Sequence, residues 1–206
     1  MDSPEIFYSR QVPFLGTGRQ QQLSESCVAI VGAGGLGSAV AQLLGRMGVG
    51  IIHIIDGDMV EEHNLARQQL YTQEDIGMSK ALSCKKHIER INPYIRVIAH
   101  HLFIDGSMNS ALEDVNLIID CTDTHESRRI IDLYCQKAGT PWIHGAVIRD
   151  EGTVFFFRPN ITKPVTYGDI YSSSVKNEKC ATAGVLATSV SFVATIQANI
   201  AIQYLT

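Results

Sequence analysis

At 206 residues, with 45% hydrophobic and 18% charged side chains, the chain suits one large soluble domain with a real core. A formal charge of −4 gives no electrostatic footprint for general nucleic-acid binding, so no nucleic-acid partner is expected. The opening MDSPEIFYSRQ has no basic stretch followed by an apolar one, so no secretory signal is read and a cytoplasmic location is expected.

In chain order, Gln20 to Glu25 is the polar end of a lead-in helix. Cys27–Val31 is a short, continuously apolar run, as expected of a buried parallel strand. Gly35–Met47 carries Leu36, Val40, Leu43, Leu44 and Met47 at helical spacing, and Ile51–Ile55 is a second strand ending at Asp56. A helix is predicted for 79–91, with Ser79 as its cap and Asn92-Pro93 as its stop. Strands follow at 96–99 and 117–120, then a helix at 125–137 and strands at 142–144 and 153–157. Arg158 to Lys179 shows no period and reads as a long loop, of the kind that is usually functional. A last helix is predicted from about Ala183. The stretch from Gly184 to Leu205 is apolar, but Thr188, Ser189, Ser191, Gln197, Asn199 and Gln203 suit a buried helix better than a membrane span, so no membrane partner is expected.

This alternation predicts an α/β fold, a Rossmann-like, doubly wound, mostly parallel sheet with helices on both faces. Its ligand would sit at the carboxyl ends of the strands. The expected organisation is a single domain over 1–206, with a nucleotide-binding core at about 27–145. The substrate-side loop and last helix would occupy about 146–206.

Three groups of residues carry chemistry. The first is Gly32-Ala-Gly-Gly-Leu-Gly37, a G-x-G-x-x-G motif that follows a buried strand and opens a helix. Gly32, Gly34, Gly35 and Gly37 allow a tight turn and close backbone approach, while the helix N-terminus offers N–H groups to phosphate. Asp56, closing the next strand, is placed to accept from ribose hydroxyls. The plain structural reading is a glycine turn kept for strand–helix packing. A dinucleotide-dependent oxidoreductase is the default owner of the motif.

The second group argues against that owner. Asp56-Gly-Asp-Met-Val-Glu-Glu-His-Asn-Leu-Ala-Arg-Gln68 supplies Asp58, Asn64, Arg67 and Gln68, and Lys80 sits at a helix start, where a cation opposes the helix dipole. Such cations suit a triphosphate, because they neutralise charge on departing pyrophosphate. The third group is Asp120-Cys-Thr-Asp123 at another strand end. Asp123 is a candidate ligand for Mg²⁺ bridging phosphates, against the simpler reading of a helix cap.

These motifs, in this order, together with Y-S-R-Q near the start and H-G-A-V-I-R-D-E-G at 144–152, resemble the ThiF/MoeB/HesA family, the single-domain relatives of ubiquitin-activating enzymes. The resemblance runs from about Tyr8 to Leu205. It implies ATP as cofactor, with Gly34 and its neighbours at the phosphates and Asp56 at the ribose. It further implies that Asn64, Arg67, Gln68 and Lys80 hold the triphosphate and that Asp123 ligates Mg²⁺. Arg10 matches an arginine inserted into the partner subunit's site, which implies a homodimer. The implied reaction is adenylation of a carboxylate with release of pyrophosphate.

Two readings of that carboxylate stand: the C-terminal glycine of a ubiquitin-like sulfur carrier, or a small molecule such as a guanylylpyridinol of [Fe]-hydrogenase cofactor biosynthesis. A non-catalytic nucleotide-binding scaffold in a heteromeric enzyme is the alternative. The five cysteines (27, 84, 121, 135 and 180) form no C-x-x-C pair, so no zinc is expected. The sequence also stops at the last helix, where relatives continue into strands that dock the carrier. Cys180 stands where some relatives place a thiol that links to the activated carrier. The alternative for it is a loop cysteine with no covalent role.

Overall fold

The computed structural model describes residues 4–105, 109–171 and 184–206. Three helices lead in, α1 (Pro4–Phe7), α2 (Val12–Leu15) and α3 (Thr17–Glu25). There follow β1 (Cys27–Val31), α4 (Gly35–Met47), β2 (Ile51–Ile55), α5 (Lys80–Ile91) and β3 (Arg96–His100). The second half runs α6 (Asn109–Leu112), β4 (Leu117–Asp120), α7 (His125–Ala138), β5 (Trp142–Ile148), β6 (Glu151–Phe157), α8 (Tyr167–Ile170) and α9 (Ala187–Leu205).

The six strands form one sheet in the order β3-β2-β1-β4-β5-β6. All neighbours pair parallel except β6, which returns antiparallel from β5. The chain leaves β1 toward β2 and later crosses to β4 on the other side of β1. The order therefore reverses between β1 and β4, the place where a doubly wound sheet opens a crevice at its carboxyl edge.

The apolar runs explain the two cores. Val28 and Ile30 of β1 face a cluster built with α4, α5 and α9, while Ala29 and Val31 face a second one with Leu112, Ile131, Trp142 and Tyr167. A strand apolar on both faces is what a sheet covered on both sides requires. Ser79 caps α5, its hydroxyl accepting from the Leu82 N–H at 3.5 Å, and Asn92 ends that helix, both as predicted.

The structure departs from the sequence reading in four places. The last helix begins at Ala187, and Ala183 lies outside the described residues. The stretch after Arg158 includes α8, whose cap Thr166 accepts from the Asp169 N–H. The short helices α1, α2 and α6 were not anticipated, being too brief to show a period. Strands β5 and β6 also run further into their hairpin than predicted. There Gly145 and the charged Arg149-Asp150-Glu151 masked the pattern, although the Gln197 side chain of α9 packs over Gly145. The apolar last helix is buried on one side by Val190, Val193, Ala194, Gln197 and Ala201. Among the described residues no helix is long and apolar enough to cross a membrane.

The segment between β2 and α5 is anchored by Asp75. Its fully buried carboxylate accepts from the Thr72 N–H at 2.8 Å and the Thr72 hydroxyl at 3.0 Å, and pairs with His87 Nε2 at 2.7 Å. Burial opposes ionisation, but the Thr72 and His87 bonds outweigh it and hold this carboxyl below the usual range. A depressed folded pKa means that the stabilisation is present above the unfolded value and is lost as pH falls through the folded one. Unfolding free energy measured by urea titration should therefore drop below about pH 4 in the wild type, and less steeply in Asp75→Asn.

Packing at the β1–α4 junction leaves no room for a methyl group. A Cβ on Gly37 would lie 1.7 Å from the Gly32 carbonyl oxygen. Gly37→Ala should cost more than about 3 kcal/mol of stability, beyond the usual range for an overpacked core. Urea denaturation checks this.

Candidate functional site

A cavity of about 870 Å³ opens at the carboxyl edge, where the order of strands reverses. Its floor is the glycine loop. Gly32 has φ +91°, and a Cβ there would meet the Cys121 carbonyl oxygen at 2.7 Å, so the turn runs flush against the end of β4. Helix α4 starts at Gly35 with no side-chain cap, and its first N–H groups are left to a ligand.

Asp56 holds this floor in shape. Its Oδ2 accepts from the Ala33 N–H at 2.7 Å and its Oδ1 from the Asp58 N–H at 2.8 Å. Burial raises the pKa of this carboxyl, against those two bonds and the nearby Lys80. Tyr71, absent from the sequence reading, donates its hydroxyl to the Ala33 carbonyl at 2.7 Å, with the Lys80 carbonyl at 3.2 Å. It thereby ties the glycine loop to the start of α5. Only its aromatic bulk within the polar stretch could have signalled it.

Cations stand on one wall. Lys80 is nearly buried and pairs with Asp58 at 2.8 Å, while its backbone N–H donates to the Asp58 carbonyl at 3.0 Å. Arg67 lines the same wall, its guanidinium bonded to the His63 carbonyl at 3.2 Å. Gln68 is buried with its Oε1 lacking a partner, an orphaned polar atom in a cavity that a ligand could satisfy. Asn64 is also present, but its Oδ1 accepts from the Glu61 N–H at 3.2 Å, so part of its carboxamide shapes the loop. Of the glycine-loop residues, Gly32, Gly34 and Gly35 line the cavity, whereas Gly37 packs behind it.

Asp123 faces the cavity from the opposite edge and is exposed. The helix-cap reading does not apply to it. Thr124 caps α7, accepting from the Ser127 N–H at 3.1 Å. No group of three or more His, Cys, Asp or Glu residues that could hold a metal is found among the described residues. A single carboxylate fits a Mg²⁺ that arrives with phosphate oxygens, and does not fit a protein-only cage.

Two predicted residues lie elsewhere. Arg10 does not line the cavity of its own chain. Its neighbours anchor the arm: Tyr8 accepts from Asn92 Nδ2 at 2.8 Å and Gln11 donates to the Met47 carbonyl at 2.8 Å, leaving Ser9 and Arg10 exposed. Cys180 lies outside the described residues. The other four cysteines are unpaired, and burial pushes up the thiol pKa of each.

The Asp58–Lys80 pair carries a prediction. Lys80→Met should weaken ATP binding by roughly ten- to a hundredfold, the equivalent of a hydrogen bond to a charged group. Asp58→Asn, which frees the ammonium, should bind ATP at least as tightly as wild type. Isothermal titration of ATP reads both.

Comparison with known proteins places these features in context. Residues 8–206 match the ThiF family. The chain is 35% identical to the sulfur carrier protein ThiS adenylyltransferase of Bacillus subtilis, over 97% of this chain and 60% of that protein. It is 38% identical to the molybdopterin-synthase adenylyltransferase of Haemophilus influenzae, over 97% of this chain and 83% of that one. Among solved structures it resembles E. coli MccB with MccA-N7isoASN, with a TM-score of 0.84 and 24% identity over 99% of this chain and 65% of that one. PaaA is another structural neighbour, with a TM-score of 0.73 and 26% identity over 98% of this chain and 61% of that one. The chain thus spans 60% of one curated relative and 53% of another, the MoeZ protein of Mycobacterium tuberculosis.

Proposed function

The chain belongs to the ThiF family, and from that premise we propose that it is an ATP-dependent adenylyltransferase that activates the C-terminal carboxylate of a ubiquitin-like sulfur carrier. The observation that carries the reading is the shared cavity. An uncapped helix N-terminus and Asp56 form one part of it, Arg67 and Lys80 another, and Asp123, without a side-chain partner among the described residues, lines it as well. The adenylyltransferases among the relatives support a protein carboxylate over a small-molecule one. So does part of the cavity lining, where Ala146, Val147, Gly184 and Val185 present small or apolar residues suited to an extended glycine-rich terminus.

In this reading the carrier's carboxylate oxygen attacks the α-phosphorus of ATP. The new P–O bond forms as the bond from the α-phosphorus to the bridging oxygen breaks, and the electron pair leaves with pyrophosphate. Arg67 and Lys80 neutralise the charge growing on that leaving group, and the glycine-loop N–H groups orient the phosphates. No protein nucleophile is required for this step. A Mg²⁺ held by Asp123 would add neutralisation of the phosphate oxygens. Arg10, projected from an anchored arm beside the 86%-exposed Phe14, would reach the site of a second copy in a homodimer.

ATP–pyrophosphate exchange, screened against carrier proteins ending in glycine and against small carboxylates, tests the substrate. A carrier should support exchange, and Asp123→Ala should reduce it by about a hundredfold or more. Exchange with small carboxylates alone would overturn the carrier, and ATP binding with no exchange at all would favour the scaffold reading. Complementation tests the shared site. Arg10→Ala and Asp123→Ala proteins, each inactive, should recover about a quarter of wild-type activity after subunit mixing, because half the dimers then carry one intact site. No recovery would place Arg10 outside the partner's site.

A further inference from the structure

Asp123 makes no hydrogen bond or ion pair with another side chain among the described residues, so something beneath must hold its turn toward the cavity. On the adenylation reading, we propose that His144 is a positioning residue for Asp123, acting through Asp120 and Thr122.

Asp120 closes β4 and His144 is its register partner on β5, so their side chains share a face of the sheet. Both are fully buried, and His144 Nδ1 lies 2.7 Å from Asp120 Oδ2. The other carboxylate oxygen grips the turn, accepting from the Thr122 N–H at 2.9 Å and the Thr122 hydroxyl at 2.6 Å. Arg128 grips the same residue from the other side, donating to the Thr122 carbonyl at 2.9 Å. The next residue is Asp123.

His144 and Arg128 stand at the same oxygen of that carboxylate. Arg128 Nε is buried without a hydrogen-bond partner and lies 3.7 Å from Asp120 Oδ2, the oxygen His144 occupies. If His144 let go, Asp120 would rotate toward that donor, and its hold on Thr122 would loosen. The imidazole cannot drift either. Trp142, Phe155, Tyr167 and Tyr171 pack around it, and its Nε2 has no partner among the described residues, so the link to Asp120 is its one polar attachment there. Gln197 of α9 fixes the main chain at the same point, donating to the Asp120 carbonyl at 2.9 Å.

The test is calorimetric and needs no carrier. ATP affinity is measured with and without Mg²⁺, and the ratio reports how well Asp123 is placed. Asp123→Ala sets the floor for that ratio. His144→Leu should lower the wild-type ratio by up to about tenfold, the low end of the effect of losing a hydrogen bond made directly to a metal ligand, because His144 acts at one remove. His144→Asn, whose amide keeps a donor near the Nδ1 position, should restore it to within about twofold. A merely structural role would lower the melting temperature of His144→Leu and leave the ratio unchanged. Should that variant fail to fold, Thr122→Val removes the hydroxyl bond to Asp120 while keeping the N–H bond, and should also lower the ratio. An unchanged ratio in the folded variants, or no Mg²⁺ effect in the wild type, overturns the positioning role. Failure of the wild type to bind ATP at all would instead overturn the adenylation reading.

Discussion

Helix α4 begins where β1 ends, and nothing larger than hydrogen separates the two at the crossing. With Gly37 closer to the Gly32 carbonyl than any methyl could be, the helix axis is forced down onto the strand end. Its unsatisfied N–H groups then face the one place where the strand order reverses. Every other feature of the site is arranged around that fixed point. Asp56 and Tyr71 hold the loop from the β2 side, and the end of β4 lies against Gly32 from the other.

The polar stretch after β2 shows how much polar burial the site carries. Burial pushes the Asp56 carboxyl pKa up, Lys80 is nearly buried, and Gln68 keeps an orphaned oxygen. A bound ligand could answer two of them, its acceptor oxygens taking the Lys80 ammonium and a donor taking the Gln68 oxygen. The Asp58–Lys80 pair is the compromise. It satisfies the ammonium, yet Asp58 stays exposed enough to yield it. Asp75 and His87 show the contrasting case, a pair whose shared oxygen, Asp75 Oδ2, is satisfied from within the fold.

Most of the fold was legible in the sequence because its signals are local. Buried parallel strands appear as unbroken apolar runs, and Ser79 and Asn92 punctuate α5 where expected. The candidate site was legible too, since Asn64, Arg67 and Gln68 lie in one polar stretch with Lys80 at the next helix start, and the structure lines one cavity with all four. What escaped depends on contacts distant in sequence. Arg128 looks like one more basic residue on an amphipathic helix, and His144 like a polar residue in a strand. Their meaning comes only from Asp120, which the sheet brings alongside. Asp123 illustrates the limit differently: its neighbour Thr124 proved to be the cap, and one residue of offset separates a structural carboxylate from an unengaged one. Strand β5 was cut short because Gly145 reads as a break until Gln197 is seen packed over it.

That glutamine has a bearing on how the protein is made. Gln197 lies on α9, yet it holds the main chain at the end of β4, and Val190 of the same helix lines the cavity. The ribosome delivers the strands and the glycine loop well before it delivers α9. Until then α4 and α5 cover only part of that face of the sheet, and the Asp120 carbonyl has no donor from α9. The glycine loop and the strand ends around it therefore emerge from synthesis early but unfinished, and the cavity is completed only when α9 docks.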